Sequence, residues 1–290
     1  MGKNVFYEGL KFPVFRAETI LSYCDDKEVL DIGCVEHNID RTRADEWVHG
    51  RIKRAAKKVI GIDYLAEEVN KLKEAGYEVV CADATKPFHI GEQFDVIVVG
   101  NLIEHLSDFP GFFSNVTEHL KENGVVLVST ANPFYMEQYF YSAFKNEIMI
   151  NPEHTCWLDP VALDQLAGRF GFRTEKVYWI KEGWTLSKVI CNGESKYYDV
   201  LAGKWIIKKK GLMERVLAPV LHFPVKVLFP GKYEKMRAKY GKDLESMLYI
   251  RFIGALFYGF WSLYKRMIIS APINNHELYL SVLKRKEGGI

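Results

Sequence analysis

Cysteine is scarce in this chain, and its placement excludes two classes of scaffold. The five residues, Cys24, Cys34, Cys81, Cys156 and Cys191, are scattered, odd in number and without a Cys-x-x-Cys pair. That argues against a zinc cluster or a disulfide framework and fits a reducing compartment. Long apolar runs are missing too. The uncharged stretch 252–264 has 13 residues, about 20 Å as a helix against a bilayer core of about 30 Å, so it is too short to span. The opening MGKNVFYEGLKF has no apolar run of signal-peptide length, and Phe6 breaks the myristoylation pattern that Gly2 begins. No Gly-x-Gly-x-x-Gly occurs where a nicotinamide dehydrogenase would carry one.

Charge of one sign is lacking overall but not locally. The net charge is +2, yet residues 182–275 hold 16 Lys/Arg against 7 Asp/Glu, and the remainder holds 23 against 30. Two regions with different partners are expected from such an asymmetry. No nucleic-acid recognition motif accompanies the basic part, so no nucleic-acid partner is expected. With 290 residues the chain can bury one large core with an elaboration.

What the sequence does have is alternation. Helical spacing over 8–24 is followed by the strand EVLDIGC, the helix RADEWVHGRIKRAAKK, the strand VIGID and the helix AEEVNKLKEAG. Then come the strands YEVVCAD and FDVIVVGN, a helix FPGFFSNVTEHLKENG expected to run to Gly124, and the strand VVLVSTAN. DPVALDQLAGRFG reads as a helix with Asp159 as N-cap, Pro160 in the first turn and Gly171 as stop, before the strand FRTEKVYWI. Strands this apolar, separated by helices, imply an α/β doubly wound parallel sheet covered on both faces. Ligands of such sheets bind at the carboxyl ends of the strands, near the reversal of strand order.

Those ends hold carboxylates. Asp63 closes VIGID, where an acid accepts hydrogen bonds from both hydroxyls of an adenosine ribose; the competing reading is an N-cap for the helix starting near Ala66. Asp83 follows the next strand, either as acceptor for the exocyclic amine of an adenine or as a turn residue before Pro87.

VLDIGC, VIGIDY, ADATKPF, FDVIVVGNLIEHL, LKENGVVLVSTAN and HTCWLDPVALDQLAGRFGF together resemble, in order and spacing, the class I S-adenosylmethionine-dependent methyltransferases. The resemblance covers roughly residues 25–181 and is nearest to the branch acting on small molecules, quinones, lipids and sugars. It implies S-adenosylmethionine as cofactor, with Asp31 and Gly33 beside its methionine part, Asp63 on the ribose, Asp83 and Ala84 at the adenine, and Asn101 and Leu102 beneath the transferring methyl. Cys34 and Tyr64, next in the chain after Gly33 and Asp63, join the cofactor-binding candidates. It also implies a seventh, antiparallel last strand, for which HELYLSVLKRK has the alternation. The domains expected are thus a core over 1–181, a basic, aromatic helical insertion over 182–275, and a returning strand over 276–290.

The chain departs from the family in its first loop. Val35 and His37 stand where glycines are usual, and a β-branched valine tolerates positive φ poorly. Asp31 and Asp63 are 32 residues apart, where about 20 is the norm, so about a dozen residues, EHNIDRTRADEW, are extra. Because Asp31, Gly33, Asp63 and Asp83 all stand, the loop reads as rebuilt rather than dead. Glu36, His37, Asn38 and Arg41 are candidates to lie over the cofactor's carboxylate or the substrate.

For catalysis the candidates are His154 and His105, each with a plain structural alternative. The resemblance also brings the acid-x-x-Glu-His arrangement by which some relatives hold a divalent metal, but Asn101 replaces its first acid, and no metal is expected. In the insertion, Arg251, Ala255, Gly259, Ser262 and Arg266 form one stripe at helical spacing, fitting either a helix in a membrane interface or a lid packed on protein. The expected function is S-adenosylmethionine-dependent methyl transfer to oxygen, on a lipid or a sugar carried by a lipid, at the cytoplasmic side. The rival is an inactive binding or scaffold protein on the same fold. Oligomeric state is not legible.

Overall fold

The computed structural model describes residues 6–8, 14–35, 47–145, 148, 150–180, 194–199, 204–209 and 277–286. The extra loop residues 36–46 and the stripe-bearing segment 251–266 lie outside them. Two compact units result: Met1–Phe134 with Glu153–Glu182 and Ser270–Ile290, and Tyr135–Pro152 with Gly183–Ile269.

The first unit is built on one sheet. In chain order its elements are β1 (Phe6–Glu8), α1 (Arg16–Cys24), β2 (Glu28–Ile32), α2 (Val48–Ala55), β3 (Lys58–Asp63), α3 (Ala66–Glu74), β4 (Val79–Cys81) and β5 (Phe94–Gly100). After a 3-10 turn, Ile103–His105, come α4 (Phe109–His119) and β6 (Leu120–Ala131). Met136–Lys145, which is α5, belongs to the second unit. Then follow α6 (Pro160–Gly168) and β7 (Phe172–Ile180). The second unit contributes β8 (Glu194–Asp199) and β9 (Lys204–Lys209), and β10 (Leu278–Arg285) returns to the sheet.

Strand order is β1-β7-β10-β6-β5-β2-β3-β4. β2 pairs parallel with both β3 and β5, while β10 is antiparallel to β6 and β7. The chain winds outward through β3 and β4 on one side and through β5 and β6 on the other, so the order reverses between β2 and β5. This is the doubly wound, seven-stranded sheet with an antiparallel last strand, plus β1 as a short edge strand paired with β7.

Alternation along each strand sorts the core onto two faces. Leu30, Ile32, Ile97 and Val99 pack with Phe112, Phe113 and Val116 of α4 and Leu163 of α6. Val29, Val96 and Val98 pack on the other face with Ile20 of α1 and Ile52 of α2. A smaller cluster, Cys34, Trp47, Val69, Leu72 and Val79, fills the space under the first loop.

Some expectations shift. α6 starts as expected, with the Asp159 carboxylate accepting from the Val161 and Ala162 amides, and Gly171 takes φ +81°. α4, however, ends at His119, not Gly124, because buried Leu120 already pairs with Phe94 in the sheet. The register then slips, and the next pair is Val96 with Val125. Lys121 in the slipped segment reaches Glu28 and Asp95, each at 2.8 Å. The insertion was expected to be helical; its described residues form the hairpin β8–β9, from Glu194 opposite Lys209 to Asp199 opposite Lys204.

Gly61 of β3 marks how tightly the first loop is seated. A Cβ there would lie 2.7 Å from Cys34 Sγ, 2.8 Å from His49 Cε1 and 2.9 Å from Val79 Cγ1. Three packed side chains must move together, so Gly61→Ala is expected to destabilise the fold by about 1–3 kcal/mol. The check is a lower urea midpoint at unchanged slope.

Candidate active site

The reversal of strand order leaves a crevice outside the carboxyl ends of β2, β3, β4 and β5. Asp63 anchors one wall. It is buried, and its Oδ2 accepts the Val35 amide at 3.0 Å while Oδ1 accepts the Leu65 amide at 3.1 Å. The N-cap of α3 is Leu65, without a side-chain cap bond, so the N-cap reading of Asp63 falls. Burial raises the Asp63 pKa against the pull of its amide donors. A carboxylate offers about four lone-pair sites; the Val35 and Leu65 amides, with the Tyr64 amide also directed at it, leave acceptor capacity for a further donor such as a ribose hydroxyl.

The first loop makes its turn without the missing glycines. Among the described loop residues Gly33 takes positive φ, at +82°, and its amide and that of Cys34 both donate to the Ile62 carbonyl, at 2.8 and 3.2 Å. Val35 is not in the left-handed region; its amide is turned onto Asp63 instead. The chain returns at Trp47, whose indole N–H donates to the Cys34 carbonyl at 2.8 Å. Side chains thus close the neck of the loop. The Cys34 thiol points into the small apolar cluster, where burial pushes its pKa up, so its side chain is turned away from a ligand.

Asp31 lies at the end of β2, 5% exposed, with Oδ2 held by His49 Nδ1 at 2.9 Å. His49, itself 1% exposed, was missed in the sequence. The signal was its place at helical spacing before the apolar Ile52 and Ala56. At the far wall, Asp83 Oδ1 accepts both the amide and the hydroxyl of Thr85, at 2.8 and 2.7 Å, bonds that hold its pKa low. That is the turn reading, and Oδ2 carries neither bond. The Ala84 carbonyl accepts from Asn115 of α4 at 2.9 Å, which fixes this turn to the helix. Tyr64 is exposed.

The floor is narrow. A Cβ on Gly33 would come 3.4 Å from the Leu102 side chain. Asn101 turns the chain after β5 in the left-handed region, φ 51°, uncommon for a residue other than glycine and tolerated best by Asn and Asp. Its amide donates to the Ser129 carbonyl, and its side-chain oxygen accepts the Ser129 hydroxyl at 3.1 Å.

Beside this floor the two candidate histidines meet. The His105 and His154 rings are edge to face, centroids 4.7 Å apart. The Glu104 carbonyl accepts the Thr155 amide at 2.8 Å, and Thr155 Oγ1 donates to the Leu106 carbonyl at 2.7 Å. Tyr279 of β10 supports the same segment through its hydroxyl on the Leu158 carbonyl, 2.7 Å. Glu104 is buried, accepts the Thr130 hydroxyl at 2.8 Å and has its pKa raised by burial. Burial, then the charge of His105, lowers the pKa of His154, whose Nδ1 is buried without a partner among the described residues. One ligand atom from each of Glu104, His105 and His154 lies within 4.8 Å of the others, a spacing compatible with a cation. Counting only Glu104 and His105 in sequence overlooked this third donor, which is 49 residues away from its nearest partner.

Comparison with known proteins accords with this geometry. Residues 17–177 match the Methyltransferase domain family. Over 172 residues the chain is 29% identical to a protein of Mycolicibacterium smegmatis described as a probable S-adenosylmethionine-dependent methyltransferase, covering 57% of this chain and 60% of that one. Over 104 residues it is 27% identical to (S)-coclaurine N-methyltransferase of Papaver somniferum, covering 36% and 29%. A solved S-adenosylmethionine-dependent methyltransferase of Archaeoglobus fulgidus is 17% identical, with TM-score 0.45 and coverage of 93% and 95%. The chain therefore spans less than two thirds of the length of these curated relatives. It belongs to the methyltransferase domain family, whose cofactor is S-adenosylmethionine. The residues present fit that group: a buried acid with acceptor sites to spare, a glycine floor, and two further carboxylates at the strand ends.

Asp63→Ala removes charged hydrogen bonds worth roughly 1.5–3 kcal/mol. S-adenosylmethionine affinity by calorimetry is expected to fall at least about tenfold in protein that still melts cooperatively. Unchanged affinity would reduce Asp63 to a tether for Val35.

Proposed function

We propose that the chain transfers a methyl group from S-adenosylmethionine to an oxygen of a lipid, or of a sugar on a lipid carrier, with His154 as general base. The observation behind this reading is the state of His154: a half-buried imidazole beside the crevice floor, whose pKa is lowered by burial and by His105. A hydroxyl acceptor must lose a proton as it attacks, whereas a neutral amine attacks with a lone pair already available. A positioned base therefore matters most for oxygen.

When bound, the cofactor supplies a methyl group on a sulfonium, open to in-line displacement. The chain's residues supply alignment, which can contribute about 7–11 kcal/mol. Asp63 holds the ribose hydroxyls, Asp83 and the Ala84 backbone face the adenine, Asp31 serves the amino-acid end, and Leu102 and Asn101 form the floor. His154 takes the acceptor's proton, and His105 and the Thr155 bonds keep its ring in place. A catalytically inactive binding protein is the alternative.

The basic segment 182–275 is proposed to select the acceptor and to touch an anionic membrane surface. Its excess of Lys and Arg supports this, each worth about 1 kcal/mol near anionic lipid. No helix among the described residues is long and apolar enough to cross a membrane.

His154→Gln is expected to lower kcat by about 10²–10⁴-fold while leaving S-adenosylmethionine affinity unchanged. Because the His154 pKa is depressed below 6.5, the base stays neutral to lower pH than a free imidazole. The acid limb of kcat/KM should therefore lie below pH 6.5 and vanish in the variant. Chelation should leave the rate intact; loss on chelation with recovery on added Mg²⁺ would assign Glu104, His105 and His154 to a cation instead. For the basic segment, the expected result is co-sedimentation with phosphatidylserine vesicles, released by about 0.5 M salt. Equal binding to neutral vesicles would contradict it.

A further inference from the structure

We propose that His49 is a positioning residue for the cofactor's amino-acid end: it orients the Asp31 carboxylate so that it receives the ammonium group of the methyl donor. This rests on the reading of the crevice as an S-adenosylmethionine site.

Asp31 sits on the sheet face that carries Val29, within the influence of Cys24, Cys34 and Asp63, and none of these is cationic. Among the described residues its ion-pair partner is His49. A buried carboxylate is costly unless paired and hydrogen-bonded. Since a carboxylate only accepts, His49 Nδ1 must carry the proton of this 2.9 Å bond. His49 Nε2 is also buried, with no partner among the described residues. An imidazolium would leave a charged N–H unmatched there, whereas the neutral ring leaves only an acceptor unused. The pair therefore keeps a net negative charge.

That charge stands at the end of the central strand, one strand away from Asp63, with β2 and β3 in register from Glu28–Lys58 to Ile32–Ile62. Two carboxylates on adjacent strands, with no Lys or Arg ion-paired to either among the described residues, suit a ligand that brings its own positive charge. His49 cannot drift from its post. Trp47 and Tyr77 flank its ring, centroids 5.1 and 5.8 Å away, and Gly61 leaves room for it only by lacking a Cβ. Trp47 also holds the loop neck through Cys34. One short stretch, Trp47 to His49, thus sets both the loop closure and the direction of Asp31.

The test compares two nucleosides by calorimetry: S-adenosylhomocysteine, which has the amino-acid end, and 5′-methylthioadenosine, which lacks it. In His49→Leu, affinity for the first is expected to fall about ten- to a hundredfold and for the second less than about twofold. His49→Asn, whose amide can donate in place of Nδ1, should recover most of the loss, and Asp31→Asn should reproduce it. Equal losses for both nucleosides, or no recovery in His49→Asn, would leave His49 with packing alone and overturn the proposal. If His49→Leu does not fold, Asp31→Asn and His49→Asn decide on the same comparison. Wild type that binds neither nucleoside would overturn the site reading itself; wild type that binds both, with Asp31→Asn unaffected, would overturn only the role of this pair.

Discussion

The bond from the Val35 amide to the Asp63 carboxylate, 3.0 Å long, is the constraint on which the crevice depends. A strand-to-helix turn over a ligand normally relies on glycines, whose backbone reaches conformations that side chains forbid. Here one glycine, Gly33, makes the turn, and the chain is then captured by a neighbouring strand. The Ile62 carbonyl takes two amides, Asp63 takes the next, and Trp47 closes the neck from the other side. Conformational freedom is replaced by specific partners on either side of the altered glycine positions.

The crevice has two corners held by different parts of the fold. The Asp83 corner is tied to α4 through Asn115, which donates to the Ala84 and Lys86 carbonyls. The His105–His154 corner is tied to β10 and β6, through the Tyr279 hydroxyl donating to the Leu158 carbonyl and the Thr130 hydroxyl donating to Glu104. β10 is far away in sequence but central in the sheet, so the last strand braces a segment from the middle of the chain. The antiparallel strand accordingly does more than complete the sheet; it holds the segment that carries His154.

Much of this was legible in the sequence, and for identifiable reasons. Strands buried on both faces read as apolar runs such as VIGID and FDVIVVG, and Asp159-Pro160 announces a helix start because cap and first turn are local chemistry. The failures were non-local. α4 stops at His119 because Leu120 finds Phe94 in the sheet, overriding a helical pattern that continued to Gly124. His49 looked like one polar residue in a basic helix until the fold brought Asp31 to it. His154 gained Glu104 as a neighbour only across an intervening span of about fifty residues that holds α4, β6 and α5, which no periodicity encodes. Asp63 illustrates the middle ground: its position was clear, but whether it capped α3 required seeing that its second partner is Val35.

The same carboxylates that shape the crevice work against the stability of the fold. Burial raises the pKa of Asp63 and of Glu104, so the folded chain holds these protons more tightly than the unfolded chain does. By linkage, stability then declines as pH rises from each group's unfolded value through its folded one. A sheet with hydrophobic clusters on both faces can carry that penalty. Strand ends selected for stability alone would not retain it, since apolar residues of similar size would pack there without it. Buried acids gathered at one edge of an otherwise apolar sheet are therefore better explained by what the edge must hold than by how the chain folds.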